Sequence, residues 1–285
     1  MAELQRVLQR DGSRLAYDVK GEGPPVLFIQ GVGLHGNGWK PQTDALSPRF
    51  RCLTFDNRGT GRSTPVPAAV TVEQMAGDAL AVAEAEAWRT FHVVGHSLGG
   101  LVALCLALGA RERVRSLSLM CTFADGRDAA PLTTRMCWLG MRTRVGTRRM
   151  RRRAFVRLVA GPGASADPDA LAEELTPLFG HDLADQPPVG GKQLKAMRRY
   201  TAAARLGELA GVPTLVMAGS HDPIAPPRVG RVPADGIPGA KYVEFPDASH
   251  GLPITHADRV NSLLGEHLAA ADAASSAAGD PSHSY

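Results

Sequence analysis

Phe91-His92-Val93-Val94-Gly95-His96-Ser97-Leu98-Gly99-Gly100 is the stretch from which the rest of the chain can be read. Its first four residues suit a short buried strand, and the apolar run Leu101 to Leu108 that follows suits a helix. Between them lies G-x-S-x-G. A serine on so sharp a strand-to-helix turn is held in a strained backbone conformation, with its hydroxyl projecting alone from the sheet edge. Gly95 and Gly99 leave room for the chain to pass so closely. The helix that starts just beyond adds a favourable dipole, and the Leu98 amide points where an oxyanion would develop. The competing reading is a glycine-rich turn that merely packs a helix on a strand.

Working outward, the same strand-helix rhythm recurs. Leu4 to Gln9 and Arg14 to Val19 alternate about Asp11-Gly12-Ser13 and read as an antiparallel edge hairpin. Val26 to Ile29 is a continuous apolar run, as expected of a strand covered on both faces. Comparable runs lie at Phe50 to Phe55, Val114 to Met120, Thr214 to Ala218 and Tyr242 to Phe245. Helical stretches at Val72 to Trp88, Leu98 to Leu108 and Ala257 to Ala270 separate most of them. The fold class is α/β: a mostly parallel, doubly wound sheet of about eight strands. From Cys121 to Gly211 the rhythm is lost and helix-like segments take over, which reads as an inserted helical cap. The expected organisation is a first core part over 1–122, a cap over 123–210, a second core part over 211–270 and a disordered tail over 271–285. The tail is Ala-, Ser-, Gly- and Asp-rich, with few large apolar residues to offset its ordering entropy.

Composition narrows the class. With 285 residues, 44% of them hydrophobic, the chain suits one large α/β domain with room for an insertion. Charged residues interrupt the N-terminal dozen, so no secretory signal is expected, and no window approaches a membrane span. Cys52, Cys105, Cys121 and Cys137 lack metal or redox spacing and read as buried, reduced thiols, which points to the cytoplasm. The net charge of +4 conceals nine arginines and no acidic residue between Arg135 and Arg157.

A serine hydroxyl needs a base to take its proton during attack. His250 lies in Phe245-Pro246-Asp247-Ala248-Ser249-His250-Gly251, just after the last strand, where side chains converge at the carboxyl edge of a parallel sheet. His96 belongs to the turn itself, and its side chain is expected to point elsewhere. His35, His221 and His256 sit in loops or near a helix start and read as local hydrogen-bonding groups. Asp222, after the Thr214 strand, completes the chain order Ser, Asp, His and would hold the imidazole in its tautomer. Asp247 and Asp125 compete for that role. The second oxyanion donor is expected at the Val32 amide, in the glycine-rich loop Gln30 to Gly38, beside that of Leu98. Catalysis by Ser97, Asp222 and His250 needs no cofactor and no metal.

With these residues in hand, the chain resembles the α/β-hydrolase superfamily. Within it, the chain is similar to the enol-lactone hydrolases and the cofactor-free haloperoxidase and esterase group. The resemblance rests on Gly95 to Gly100, Asp56-Asn57-Arg58-Gly59-Thr60-Gly61-Arg62-Ser63, Gly219 to Pro223, and Ala240 to Phe245 with Asp247 to His250. It implies a serine hydrolase cleaving a small-molecule carboxylic ester or lactone, with a structural role for the Asp56 to Ser63 turn. One departure is Gln30-Gly31, where relatives mostly carry His-Gly and enol-lactonases do not. The rivals are C–C bond hydrolysis, thioester cleavage or perhydrolysis by the same triad, and a non-catalytic ligand binder. The run Arg142, Arg144, Arg148, Arg149, Arg151, Arg152 and Arg153 reads either as a solvated helix face or as a site for an anionic substrate or carrier. Neither nucleic acid nor membrane is an expected partner, and the oligomeric state is open.

Overall fold

In the computed structural model, residues 4–130, 133–161, 167–185 and 187–278 are described. Eight strands form one sheet: β1 (Leu4–Arg10), β2 (Ser13–Lys20), β3 (Pro25–Ile29), β4 (Arg51–Phe55), β5 (Phe91–His96), β6 (Val114–Met120), β7 (Thr214–Gly219) and β8 (Lys241–Phe245). Their spatial order is β1-β2-β4-β3-β5-β6-β7-β8. The β1–β2 hairpin and its junction with β4 are antiparallel, and every other pairing is parallel.

Among the described residues ten α-helices accompany the sheet: α1 (Lys40–Leu46), α2 (Val72–Ala85), α3 (Leu98–Gly109), α4 (Thr134–Arg142), α5 (Arg148–Val159), α6 (Pro168–Phe179), α7 (Gly190–Met197), α8 (Pro227–Gly236), α9 (Leu252–Thr255) and α10 (Ala257–Ala278). The continuous apolar strands are explained by what covers them. In β3, Leu27 and Ile29 join a cluster with Met75, Ala79 and Val82 of α2 and Leu101 and Val102 of α3. Val26 and Phe28 join a second cluster with Leu46 of α1 and Val260, Leu264 and Leu268 of α10. Successive side chains thus enter opposite layers, and both must be apolar. α3 lies deepest, buried on nearly every side, so it shows little amphipathic pattern.

Helices α4 to α7 fall between β6 and β7. Helices α5 and α6 share a small apolar cluster of Val156, Val159, Ala172, Leu175 and Phe179, onto which Leu34, from the loop after β3, and Ile254, from α9, pack at the carboxyl edge of the sheet. The Gly251 amide also donates to the Val159 carbonyl at 2.6 Å, next to His250.

Two expectations need correction. The stretch 271–285, expected to be disordered, is helical as far as Ala278, because α10 runs on through it. Alanine is the strongest helix former, Ala271 is buried, and the Asp272 carboxylate bonds Arg115 and His92. The remainder of that call, 279–285, lies outside the described residues. Secondly, not all four cysteines are buried: they are free thiols, but Cys137 is exposed on α4. Among the described residues no helix is long and apolar enough to cross a membrane.

Candidate active site

Three loops leave the carboxyl edge of the sheet and meet. Ser97 follows β5 at φ +55° and ψ −122°, a conformation that an L-residue reaches only under strain. The strain is held from both sides. The Ser97 amide donates to the Met120 carbonyl, and the Ser97 carbonyl accepts from Thr122 Oγ1 at 2.6 Å. Gly99 permits the close passage: a Cβ there would come within 2.0 Å of the Ile29 carbonyl oxygen.

His250, after β8, places Nε2 at 2.9 Å from Ser97 Oγ and Nδ1 at 2.8 Å from Asp222 Oδ2. Asp222, after β7, is almost fully buried. Its other oxygen accepts from the Ile224 and Ala225 amides at 2.8 and 2.9 Å. Burial pushes its pKa up, but the neighbouring imidazole and the hydrogen bonds it accepts pull harder, so the carboxyl lies below its ordinary value. An ionised Asp222 requires a proton on Nδ1, which leaves Nε2 to accept the Ser97 proton. That connected path is what a hydroxyl needs to become a nucleophile at neutral pH.

The Asp222 competitors are engaged elsewhere. Asp125 is bonded by Arg127, and Asp247 is exposed and pairs with His256. The His96 ring does not point away from the site, as expected. It is buried 4.9 Å from the His250 ring, and its Nε2 donates to the His250 carbonyl at 2.8 Å. Burial lowers its pKa to about 3, so it acts as a neutral prop under His250. Among the described residues, the grouping of potential metal ligands is His96, Cys121 and His250. Both His250 nitrogens are engaged in this structure, Nε2 by Ser97 Oγ and Nδ1 by Asp222 Oδ2.

Leu98 is the first residue of α3, whose opening amides lack helical acceptors. The Gln30 to Gly38 loop lies alongside: a Cβ on Gly31 would be 3.2 Å from Ser97 Cβ. Within that loop the Gly31 amide donates to Gln30 Oε1 and the Gly33 amide to Gln193 Oε1, at 3.0 and 2.8 Å. Among the described residues the intervening Val32 amide has no such acceptor. Asn57 Nδ2 donates to the Gln30 carbonyl, tying in the turn from Asp56 to Ser63. The Asp56 carboxylate in turn holds the Gly36 amide and Arg62, an arrangement that stabilises loops.

Sequence reasoning missed Gln193. It is fully buried on α7 and 160 residues from its partner, and no local pattern marks it. Most of the arginine run is engaged by neighbouring groups at the protein surface. Arg148 and Arg152 pair with Asp182, Arg149 and Arg153 with Asp169, and Arg151 donates to the Ala184 carbonyl. Arg142 lies over the Trp138 ring.

Residues 24–257 match the family described as alpha/beta hydrolase fold. RutD of Azorhizobium caulinodans, named as a candidate carbamate hydrolase, is 32% identical over 263 residues, which is 88% of this chain and 93% of that one. BpoC of Mycobacterium tuberculosis, named as a candidate non-heme bromoperoxidase, is 33% identical over 257 residues, 83% and 90% of the two chains. Among solved structures, the enol-lactonase of Burkholderia xenovorans LB400 superposes with a TM-score of 0.77 at 26% identity, covering 93% of this chain and 100% of that one.

Proposed function

Because this chain belongs to the α/β-hydrolase fold family and is a hydrolase of that type, we propose that it cleaves a small-molecule carboxylic ester or lactone through an acyl-enzyme on Ser97. The observation that carries the reading is the unbroken path from Ser97 Oγ through His250 to the buried Asp222, on a serine held at positive φ.

The steps follow from the geometry. Ser97 Oγ attacks the carbonyl carbon as its proton passes to His250 Nε2, and Asp222 stabilises the imidazolium that forms. The Val32 and Leu98 amides receive the negative charge on the carbonyl oxygen. Collapse expels the alcohol, or the alkoxide end of an opened lactone ring, with the proton from Nε2. Water then repeats the sequence on the acyl-Ser97 ester and releases the acid. Helices α5 and α6, over the carboxyl edge, form the wall that a substrate meets, so the insertion read at 123–210 is the element that sets specificity.

A carbamate presents the same attackable carbonyl, and the name of the A. caulinodans relative favours it as the second reading. A panel of aryl esters, lactones, carbamates, thioesters and vinylogous diketones, followed by product analysis, orders these substrates. Ser97→Ala is expected to lower turnover on the best of them by about 10⁴ or more while substrate binding survives. A fluorophosphonate should label the wild-type serine and not the variant. Undiminished turnover in Ser97→Ala would falsify the acyl-enzyme.

A further inference from the structure

We propose that Gln193 is a positioning residue for this hydrolysis, one that makes the oxyanion site complete only while α7 is seated against the core. The inference rests on the hydrolase reading above. Its basis is the turn that carries Val32. The Leu34 amide donates to the Gly31 carbonyl at 3.4 Å, closing a four-residue turn whose third position, Gly33, has φ +72°. A positive φ at that position marks the turn type in which the central peptide is flipped relative to the commoner type I form. That central peptide joins Val32 to Gly33, and its N–H is the group that Gln193 Oε1 accepts at 2.8 Å.

Gln193 is itself held. It has no exposed surface, and its Nε2 donates to Thr60 Oγ1 at 3.3 Å, in the turn beyond β4. Around it α7 is fastened to the core by the Lys192 ammonium on the Pro67 carbonyl at 2.5 Å, and Pro187, just before the helix, packs on Gly33. Without an acceptor from Gln193, the buried Gly33 N–H is left unpaired and the whole Gly31–Leu34 turn gains by shifting away from α7 to find another partner. Such a shift carries the Val32 amide off the oxyanion. Substrate recruitment does not use that amide, so the loss falls on the transition state.

The test compares variants on the best substrate and against an alkyl trifluoromethyl ketone, whose adduct with a serine carries an oxyanion. Gln193→Leu should lower kcat about ten- to a hundredfold, with KM little changed. Affinity for the trifluoromethyl ketone should fall by the same factor as kcat/KM. Gln193→Glu, which keeps an acceptor for Gly33, should recover most of the loss. Unchanged kcat in Gln193→Leu, a kcat loss with inhibitor affinity intact, or a Gln193→Glu variant as impaired as Gln193→Leu each overturns the proposal. Should Gln193→Leu fail to fold by circular dichroism, Thr60→Val decides: a smaller parallel loss of kcat and inhibitor affinity supports the role, and wild-type behaviour overturns it. Ser97→Ala is assayed alongside. If it hydrolyses as fast as wild type, the hydrolase reading itself is lost. If Ser97→Ala is silent while Gln193→Leu is fully active, only the positioning role is lost.

Discussion

At Asp222 two demands meet in one carboxylate: Oδ1 is taken by the Ile224 and Ala225 amides, and Oδ2 is left for His250. The amides fix which oxygen faces the imidazole, so an asparagine at 222 keeps its carbonyl on them and turns its NH₂ toward His250. The ring must then accept at Nδ1 and carry its proton on Nε2, the wrong tautomer for receiving one from Ser97. Asp222→Asn is therefore expected to fold like wild type and lose about 10⁴ in kcat, read from steady-state rates beside thermal melting. A kcat within tenfold of wild type would show that the tautomer is set by another group. That Ser97, Asp222 and His250 come together was legible because each lies just beyond an apolar strand, where strand order alone brings side chains to one edge. The part played by His96 was not. Its partner is a backbone carbonyl 154 residues away, and nothing in the G-x-S-x-G pattern says which way its second residue turns.

Among the elements, α5 shows how a charge pattern misleads when its partners are distant. Thr147 caps the helix through the Met150 amide, and Val156 and Val159 bury its inner face against α6. Its outer arginines reach Asp169, in the first turn of α6, and Asp182, just after that helix, so the run laces two helices together. Asp182 also accepts from the Ala184 amide. The Arg153 and Arg149 guanidinium groups hold the Asp169 carboxyl, and Arg152 and Arg148 the Asp182 carboxyl, well below the usual carboxylate range. For such groups the stabilisation is complete above the ordinary carboxyl value of about 4 and fades as pH falls toward the depressed one. Amide exchange in α5 and α6 should accordingly quicken below about pH 4 relative to α3, and Asp182→Asn should bring the same loosening at pH 7. Equal protection of α5 in Asp182→Asn and wild type would count against the lacing. Elsewhere the continuous strands and α3 were legible from length and apolarity. α8 was not: Gly230 and Pro233 argue against a helix locally, and burial of Val229 and Ala234 overrides them.

For the molecule as a whole, the two layers enclosing the sheet have a consequence for acid stability. His92 in β5, His96 at the head of the site and His267 on α10 all lie where burial lowers the pKa, for His96 to about 3 and for His267 to about 4. The unfolded chain takes up protons at these positions near pH 6.5, and the folded chain does not. A histidine of depressed pKa costs nothing above its unfolded value. As pH falls below about 6.5 the unfolded state binds more protons, and stability drops until the folded pKa is reached. Each such group contributes up to about 1.4 kcal/mol per pH unit in that window. Urea unfolding at intervals from pH 7.5 to 4.5 should thus show a midpoint that declines already between pH 6.5 and 5, well before the α5–α6 carboxylates begin to titrate. His267→Gln removes one titrating group remote from Ser97 and should flatten that decline by as much as one proton's worth, leaving kcat at pH 7 unchanged. A wild-type midpoint level down to pH 5 would mean that the layers admit these protons in the folded state. An equally steep decline in His267→Gln would place the uptake on the other histidines whose pKa burial lowers, His35, His92 and His96.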